Sequence, residues 1–338
     1  MVNMHILVTG GCGFIGSNFI KHMLSKHAYS IINLDKLTYA GNLENLKDIE
    51  NDERYSFIKG DIADGNLLEN IFNSSNVDAV INFAAESHVD RSIMYPDEFI
   101  KTNINGTFNL LEIAKKKEIK LFIQISTDEV YGSLGKEGKF QEATPLAPNS
   151  PYSASKAAAD MLATAYHKTF KMPVIITRCS NNYGPYQFPE KLIPLIISNA
   201  LEDIQLPVYG DGLNVRDWIH VSDHCEAIDN VLHKGIPGNV YNVGGESERT
   251  NIEIVKLILN ILGKPHSLIK YVTDRPGHDR RYAIDSTKIK NELGFKNLTD
   301  FDKGMENTVH WYRDNRAWWE RIKNGEYVTY YERMYNNR

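Results

Sequence analysis

Two short clusters carry the reactive groups of this chain. Thr127-Asp128-Glu129 closes an apolar run, and Tyr152-Ser153-Ala154-Ser155-Lys156 opens a helical pattern. The second cluster sets a phenol and an amine four positions apart, which places them on one face of a helix. A free phenol titrates near pH ~10, and a neighbouring ammonium stabilises its ionised form. Tyr152 is therefore a candidate general base for an alcohol being oxidised, with Lys156 as its partner. The first cluster adds two carboxyl groups, suited to acid–base work beyond hydride transfer. One substrate meeting both clusters would undergo hydride and proton chemistry together.

Hydride transfer needs a carrier, and the start of the chain supplies a place for one. Gly10-Gly11-Cys12-Gly13-Phe14-Ile15-Gly16 follows the apolar run His5–Thr9 and precedes a helical pattern over Phe14–Ser25. Glycines there permit a tight turn and close approach to a pyrophosphate. The helix N-terminus contributes unpaired N–H groups and partial positive charge. The flanking strand and helix are the context this motif requires. Asp35 ends the next apolar run, 19 positions after Gly16. A carboxylate there accepts from both adenosine ribose hydroxyls and repels a 2′-phosphate, which favours NAD over NADP. Asp61-Ile62, after a third run, is placed to hold the adenine edge.

The elements that must position these groups alternate. Strand patterns at His5–Thr9, Ser30–Asp35, Tyr55–Ile58, Ala79–Phe83, Leu121–Ile125 and Val174–Thr177 are separated by helical ones, including Asn105–Lys117 and Ser155–Phe170. Such alternation predicts an α/β protein with a Rossmann-type, doubly wound parallel sheet. Right-handed crossovers would bring the post-strand loops to one edge. After about Asn181 proline and glycine multiply, which predicts a smaller mixed α/β substrate-binding domain. Trp218–Val221 reads as a strand leading into a helix and a return to the large domain. The expected division is 1–180 plus about 215–240 for the dinucleotide, and about 181–214 with 241–338 for the substrate.

The 338 residues carry a net charge of −5, with 42% hydrophobic and 24% charged side chains. These values fit a globular protein with a large core and give no sign of nucleic-acid binding. Lys115-Lys116-Lys117 reads as a solvated helix face. Cys12, Cys179 and Cys225 form no C-x-x-C pair, so neither a disulfide framework nor a zinc knuckle is expected, and a reduced, cytoplasmic setting fits. No secretory pattern is visible, and no uncharged run reaches the ~18 residues that span a bilayer, so no membrane association is expected. His220 and His224 are spaced as zinc ligands can be, but with no third ligand in view they read as core packing or capping, and no metal is expected.

Thr9–Gly16, Ala84-Ala85 and the Tyr152-x-x-x-Lys156 pair resemble the extended branch of the short-chain dehydrogenase/reductase superfamily, whose members act mostly on nucleotide sugars. Members that only epimerise or reduce mostly carry Ser or Thr alone where this chain has Thr127-Asp128-Glu129. The carboxyl pair, with Ala85–Ser92, Ser126–Gly132, Ser180–Tyr186, Pro189–Pro194, Asn214–Trp218 and Asp274–Asp279, is similar to the nucleotide-sugar dehydratases of that branch over nearly the whole chain. The resemblance implies dTDP-glucose as substrate, NAD as cofactor and a homodimer joined by the helices Asn105–Lys117 and Ser155–Phe170.

The chemistry follows from sugar reactivity. A ketone at C4 acidifies the C5 hydrogen; Glu129 is then the candidate to remove that proton, and Asp128, protonated, the candidate to give one to the C6 hydroxyl as it leaves. By resemblance Thr127 bonds the C4 oxygen. The same resemblance places Phe14, Ile15, Lys36, Thr38, Ala84, Ala85, Thr102 and Asn182 beside the cofactor. It places Ser87, Asn181, Lys191, Leu192, Pro207, Tyr209, Arg216, Asn251, Asp274, Arg275 and His278 around the nucleotide sugar. Arg216, Arg275 and Lys191 are suited to a diphosphate by charge. A dehydratase or a 4-epimerase of another nucleotide sugar, UDP- or GDP-linked, remains the alternative, as does a dinucleotide-binding regulator without turnover.

Overall fold

Leu7, Val80 and Phe122 are fully buried, and so are their neighbours Ile6, Ile81 and Ile123. Strands buried on both faces belong in the middle of a parallel sheet. The structure, a computed structural model, describes residues 4–323. Its strands are β1 (His5–Thr9), β2 (Ser30–Asp35), β3 (Tyr55–Lys59), β4 (Ala79–Asn82), β5 (Leu121–Thr127), β6 (Val174–Cys179), β7 (Asn181–Tyr183), β8 (Leu206–Tyr209), β9 (Val215–His220), β10 (Val240–Val243), β11 (Glu248–Thr250) and β12 (Ile269–Val272). Its α-helices are α1 (Phe14–Lys26), α2 (Gly65–Ser74), α3 (Val89–Met94), α4 (Pro96–Phe99), α5 (Thr107–Lys116), α6 (Pro151–Phe170), α7 (Leu192–Leu201), α8 (Val221–Lys234), α9 (Asn251–Leu262), α10 (Thr287–Leu293), α11 (Phe301–Asp314) and α12 (Arg316–Ile322).

Seven strands form one parallel sheet in the order β10-β6-β5-β4-β1-β2-β3. This is the doubly wound α/β fold expected from the alternation. Side-chain alternation builds a core on each face. Ile6, Val8 and Ile81 pack with residues of α1 and α8, whereas Leu7, Val80 and Phe122 pack with residues of α2, α5 and α6. Truncating a buried Phe such as Phe122 to Ala costs about 3–5 kcal/mol. A polar thread crosses the middle of the sheet: Thr9 Oγ1 donates to Asn82 Oδ1 (2.6 Å), and Asn82 Nδ2 donates to Gln124 Oε1 (2.8 Å). Such a thread is tolerated in a core because its members satisfy one another.

The strand order reverses between β1 and β4, which opens a crevice at their carboxyl ends. β7, β9 and β11 form a three-stranded sheet, and β8 pairs with β12. A third core unites α7, α9, α11 and α12. Two expectations shift here. The strand holding Trp218 pairs with β7 and β11 and not with the large sheet, although α8 after it packs on α1 as expected of a return to the large domain. The strand that completes the large sheet is β10, beside β6. A substrate-domain boundary at 241 therefore falls inside a strand of the large sheet. Tyr241 and Val243 have no exposed surface and fill its core, a tertiary role that local pattern does not reveal. Residues 324–338 of the expected second domain lie outside the described residues.

Two helix starts also differ. The Asn105–Lys117 pattern begins as a π-helical turn, Ile100–Gly106, before α5. π-turns concentrate at functional sites, and this one carries Thr102. The helix with Tyr152 starts earlier, at Pro151. Ser150 and Ser153 form a capping box, each side chain accepting from the other's backbone N–H (3.1 and 3.0 Å), and Pro151 occupies the first turn.

Candidate active site

β1 ends in a turn that only glycine can make. Gly10 has φ +70°, and a Cβ there would stand 2.7 Å from the Ala84 backbone nitrogen; a Cβ on Gly16 would stand 2.4 Å from the Gly10 carbonyl oxygen. The turn delivers α1 with Gly13 as its N-cap and no capping side chain. Its first N–H groups are thus available to an anion.

Asp35 closes β2 and braces this loop. Its Oδ2 accepts from Cys12 N and its Oδ1 from Leu37 N, both at 2.8 Å. Burial raises its pKa, and those two donors oppose the rise. A carboxylate has about four acceptor positions, so two remain for ribose hydroxyls. Asp61 pairs with Lys36 Nζ at 2.9 Å. The N-cap of α2 is Asp64, whose side chain accepts from Asn66 N and Leu67 N.

β5 ends in Thr127 and passes into the 3-10 turn Asp128–Tyr131. Asp128 is 1% exposed. Its Oδ1 accepts from Thr127 Oγ1 (3.3 Å), and its Oδ2 has no hydrogen-bond partner. Burial first, then the charges of Glu129 and Asp217, push its pKa well above the carboxylate range, with Arg216 opposing. These surroundings favour the protonated carboxylic acid over the carboxylate. Burial also raises Glu129, but Arg275, Arg216 and Lys191 counter it. Two adjacent carboxyls thus have different environments, the pattern that separates an acid from a base.

The Thr127 side chain lies beside the Tyr152 phenol. Burial and then the Glu129 charge push the phenol well above its ordinary value. Lys156 Nζ donates to the Ile125 carbonyl oxygen at 2.6 Å, and burial lowers its pKa while Asp160 opposes. The expected lowering of the phenol by this lysine is therefore absent in the protein alone: the ammonium is engaged with backbone, and the nearest strong charge on the phenol is negative.

The two clusters and the glycine loop line one cavity of about 410 Å³. Every residue that the sequence assigned to catalysis, cofactor or substrate lines it except Asp274. Asp274 is exposed outside the lining and accepts from His278 Nδ1 at 2.6 Å. Burial, then Arg275 and Arg216, lower the His278 pKa to about 4, so its ring is neutral. Lys191 Nζ donates to the Ser87 carbonyl oxygen (2.7 Å), Tyr209 Oη donates to Asp90 Oδ2 (3.2 Å), and the Arg216 guanidinium lies 4.4 Å from the Tyr282 ring centre. Asn182 is committed internally: its Oδ1 contacts His224 Nδ1 (2.9 Å) and its Nδ2 donates to Ser180 O (3.0 Å). His220 Nδ1 meets Ser222 Oγ at 2.7 Å, so both histidines of that pair face hydrogen-bond partners.

Sequence reasoning missed Asp90, Glu190 and Tyr282, which also line the cavity. Asp90 and Glu190 lie in segments already marked by resemblance, whereas nothing local marks Tyr282. Thr102 Oγ1, Asn181 Oδ1, Asn251 Oδ1 and Arg275 Nε are buried and have no hydrogen-bond partner in the protein. Buried polar atoms are paired in nearly all folded proteins. Along a cavity wall they suit a polar ligand of many donors and acceptors, as a dinucleotide and a nucleotide sugar are.

A parallel sheet opened at its switch point, a glycine-loop helix and a Tyr–Lys helix define the extended short-chain dehydrogenase/reductase class. The family described as GDP-mannose 4,6 dehydratase matches residues 7–308. A dTDP-glucose 4,6-dehydratase of Xanthomonas campestris pv. campestris is 55% identical over 95% of this chain and 96% of its own length. Among solved structures, the dTDP-glucose 4,6-dehydratase of Bacillus anthracis in complex with NAD is 58% identical, with a TM-score of 0.89, over 95% of this chain and 100% of that one. The Streptomyces venezuelae enzyme of the same name, solved with NAD and a second ligand, is 50% identical with a TM-score of 0.92 at the same coverage. The chain belongs to the dTDP-glucose 4,6-dehydratase family.

Proposed function

We infer that the protein is an NAD-dependent hydro-lyase that converts dTDP-glucose to dTDP-4-keto-6-deoxyglucose and water. The observation that carries this reading is the buried Asp128, beside Glu129 and one hydrogen bond from Thr127, in surroundings that favour its protonated form. An epimerase has no use for such an acid. The glycine cradle and the unpartnered Thr102 hydroxyl fit NAD, with Gly13–Gly16 at the pyrophosphate and Asp35 at the adenosine ribose. NAD held by these residues would supply the hydride acceptor for C4 of the sugar and the donor for C6, with no net oxidation or reduction of the cofactor.

The residues divide the proton work. Thr127 holds the C4 oxygen, and Tyr152 takes the hydroxyl proton as the ketone forms. Glu129 removes the C5 proton. Asp128 gives its proton to the C6 hydroxyl, which leaves as water, and Glu129 returns its proton to C5. Asp128 must then be recharged, while Tyr152 holds the proton taken from O4. The contacts Tyr152–Thr127 and Thr127 Oγ1–Asp128 Oδ1 (3.3 Å) offer a path between them. Arg216, Arg275 and Lys191 take the diphosphate, and their charges keep Glu129 closer to an ionised base than burial alone would.

The same proposal includes a homodimer. Phe108 on α5 and Met161 and Phe170 on α6 are 43%, 58% and 51% exposed, and Ile100 beside them is 52% exposed. Phe108, Met161 and Phe170 lie on the two helical segments expected to pair, Ile100 opens the turn that leads into the first, and apolar exposure of this extent favours a partner. A cytoplasmic setting is supported by three buried thiols with no disulfide. No helix among the described residues is long and apolar enough to cross a membrane.

The test is a substrate panel. Purified protein incubated with dTDP-, UDP-, GDP- and CDP-glucose is analysed by mass spectrometry. Loss of one water, fastest from dTDP-glucose, is expected. An isomer of unchanged mass, or faster turnover of another nucleotide sugar, would overturn the reading.

A further inference from the structure

The end of α1 remote from the glycine loop carries a cluster that the reaction does not use. α1 has 13 residues, so at ~1.5 Å per residue its two ends are roughly 20 Å apart. There Asp229, on α8, turns a carboxylate that is 8% exposed toward the end of α1. His27 Nε2 lies 3.0 Å from both of its oxygens, and His233 Nδ1 lies 2.8 Å from Oδ1. On the other side His22 Nε2 is 2.9 Å from Oδ2. One carboxylate thus meets three imidazoles drawn from two helices.

We propose that His27, Asp229 and His233 form a site for a divalent cation of the zinc class, which ties α8 to the C-terminal end of the glycine-loop helix. One ligand atom from each residue lies within 4.8 Å of the others. Zinc bonds nitrogen and carboxylate oxygen at about 2.0–2.2 Å, which sets neighbouring ligand atoms roughly 3 Å apart. Both carboxylate–imidazole contacts fall at that spacing, and the two imidazole nitrogens lie within 4.8 Å of each other. The donor set, two imidazoles and a carboxylate, suits zinc, cobalt or nickel and not magnesium or calcium, which take oxygen ligands.

The surroundings favour this side of Asp229. Lys26 binds Glu226 next to His22 and places a cation there. His27 and His233 have no such neighbour in these contacts. Their rings are held side by side, with centroids 4.8 Å apart, and His27 stacks on Tyr29 at 4.9 Å and 12°. Tyr29 Oη lies 2.7 Å from His233 Nε2. When Nδ1 binds an ion, Nε2–H donates to that hydroxyl, the outer hydrogen bond that metal-binding histidines usually make. Without an ion, Nδ1–H donates to the Asp229 main-chain oxygen at 2.8 Å instead, so ion and proton compete for one nitrogen. The side chains of His27 and His233 are 25% and 31% exposed, which leaves the remaining coordination positions to water.

The test uses the full chain, stripped with a chelator and titrated near neutral pH with zinc by calorimetry and with cobalt by visible absorption. One zinc per chain, a cobalt ligand-field band, a higher melting temperature with zinc and no response to magnesium are expected. His27→Ala and His233→Ala should each weaken binding at least tenfold while dehydratase turnover stays unchanged. Tyr29→Phe keeps every ligand and should cost ~10–100-fold in affinity, and it serves if a ligand variant folds poorly. Zinc stoichiometry and affinity unchanged in the His27→Ala/His233→Ala double variant, or no cobalt band, would overturn the site.

Discussion

The two ends of the cavity are built on different principles. At the dinucleotide end the walls are backbone: glycine turns, helix N–H groups and an aspartate whose oxygens each already accept a backbone hydrogen bond. At the sugar end the walls are charged side chains, many incompletely paired, with two carboxyls side by side and Arg216, Arg275 and Lys191 facing them. Asp35 and Asp128 show the contrast within one residue type. Asp35 ends β2, Asp128 follows the end of β5, and both are buried, yet Asp35 has two N–H donors and Asp128 has one hydroxyl and a carboxylate neighbour. Backbone walls bind in one geometry. Frustrated side chains hold proton affinities away from their solution values, which is what catalysis requires.

The largest effect should come from the sugar end. Tyr152→Phe removes the base for the first step and should lower turnover by ~10²–10⁴. Neither NADH absorbance nor water loss should then appear on mixing with dTDP-glucose, while NAD titration stays close to native. NADH formation at the native rate would assign the base elsewhere.

The dinucleotide end should respond differently. Gly10→Ala forces a side chain into a positive-φ turn against Ala84. Strain of about 1–3 kcal/mol is expected, seen as a lower melting temperature together with weaker NAD binding. If melting fell and NAD affinity did not, the turn would brace the fold without shaping the cofactor site.

The smallest effect concerns stability and pH. Asp128 has a folded pKa above its unfolded value of about 3.9. Its contribution is complete below that value and declines as pH rises toward the folded pKa, because the unfolded chain gives up its proton first. Asp128→Asn has no proton to lose. Its melting temperature relative to the native protein should climb as the pH rises above about 4. A difference that does not change with pH would mean the folded acid ionises normally.

The same contrast explains what the sequence made legible. The glycine spacing, Asp35 and the Tyr–Lys pair are local signals, because backbone chemistry and helix periodicity act over a few residues. The strands of the large sheet read from their apolar runs up to β6. β10 escaped because Val240–Val243 is four residues long and its place beside β6 depends on the whole fold. The sugar end draws Lys191, Arg216, Arg275 and Tyr282 from separate segments. Resemblance supplied most of these, and Tyr282 had no signal of its own. Lys156 is instructive in another way: helix spacing placed it on the correct face, but its ammonium is held by the Ile125 carbonyl, which spacing cannot show.

The account rests on oxidation at C4 and loss of water being run by different residues of one cavity. Rapid mixing of Glu129→Gln with dTDP-glucose, followed by NADH absorbance and by product mass, tests this most directly. NADH should form and persist while no water is lost. Water loss at the native rate would contradict it.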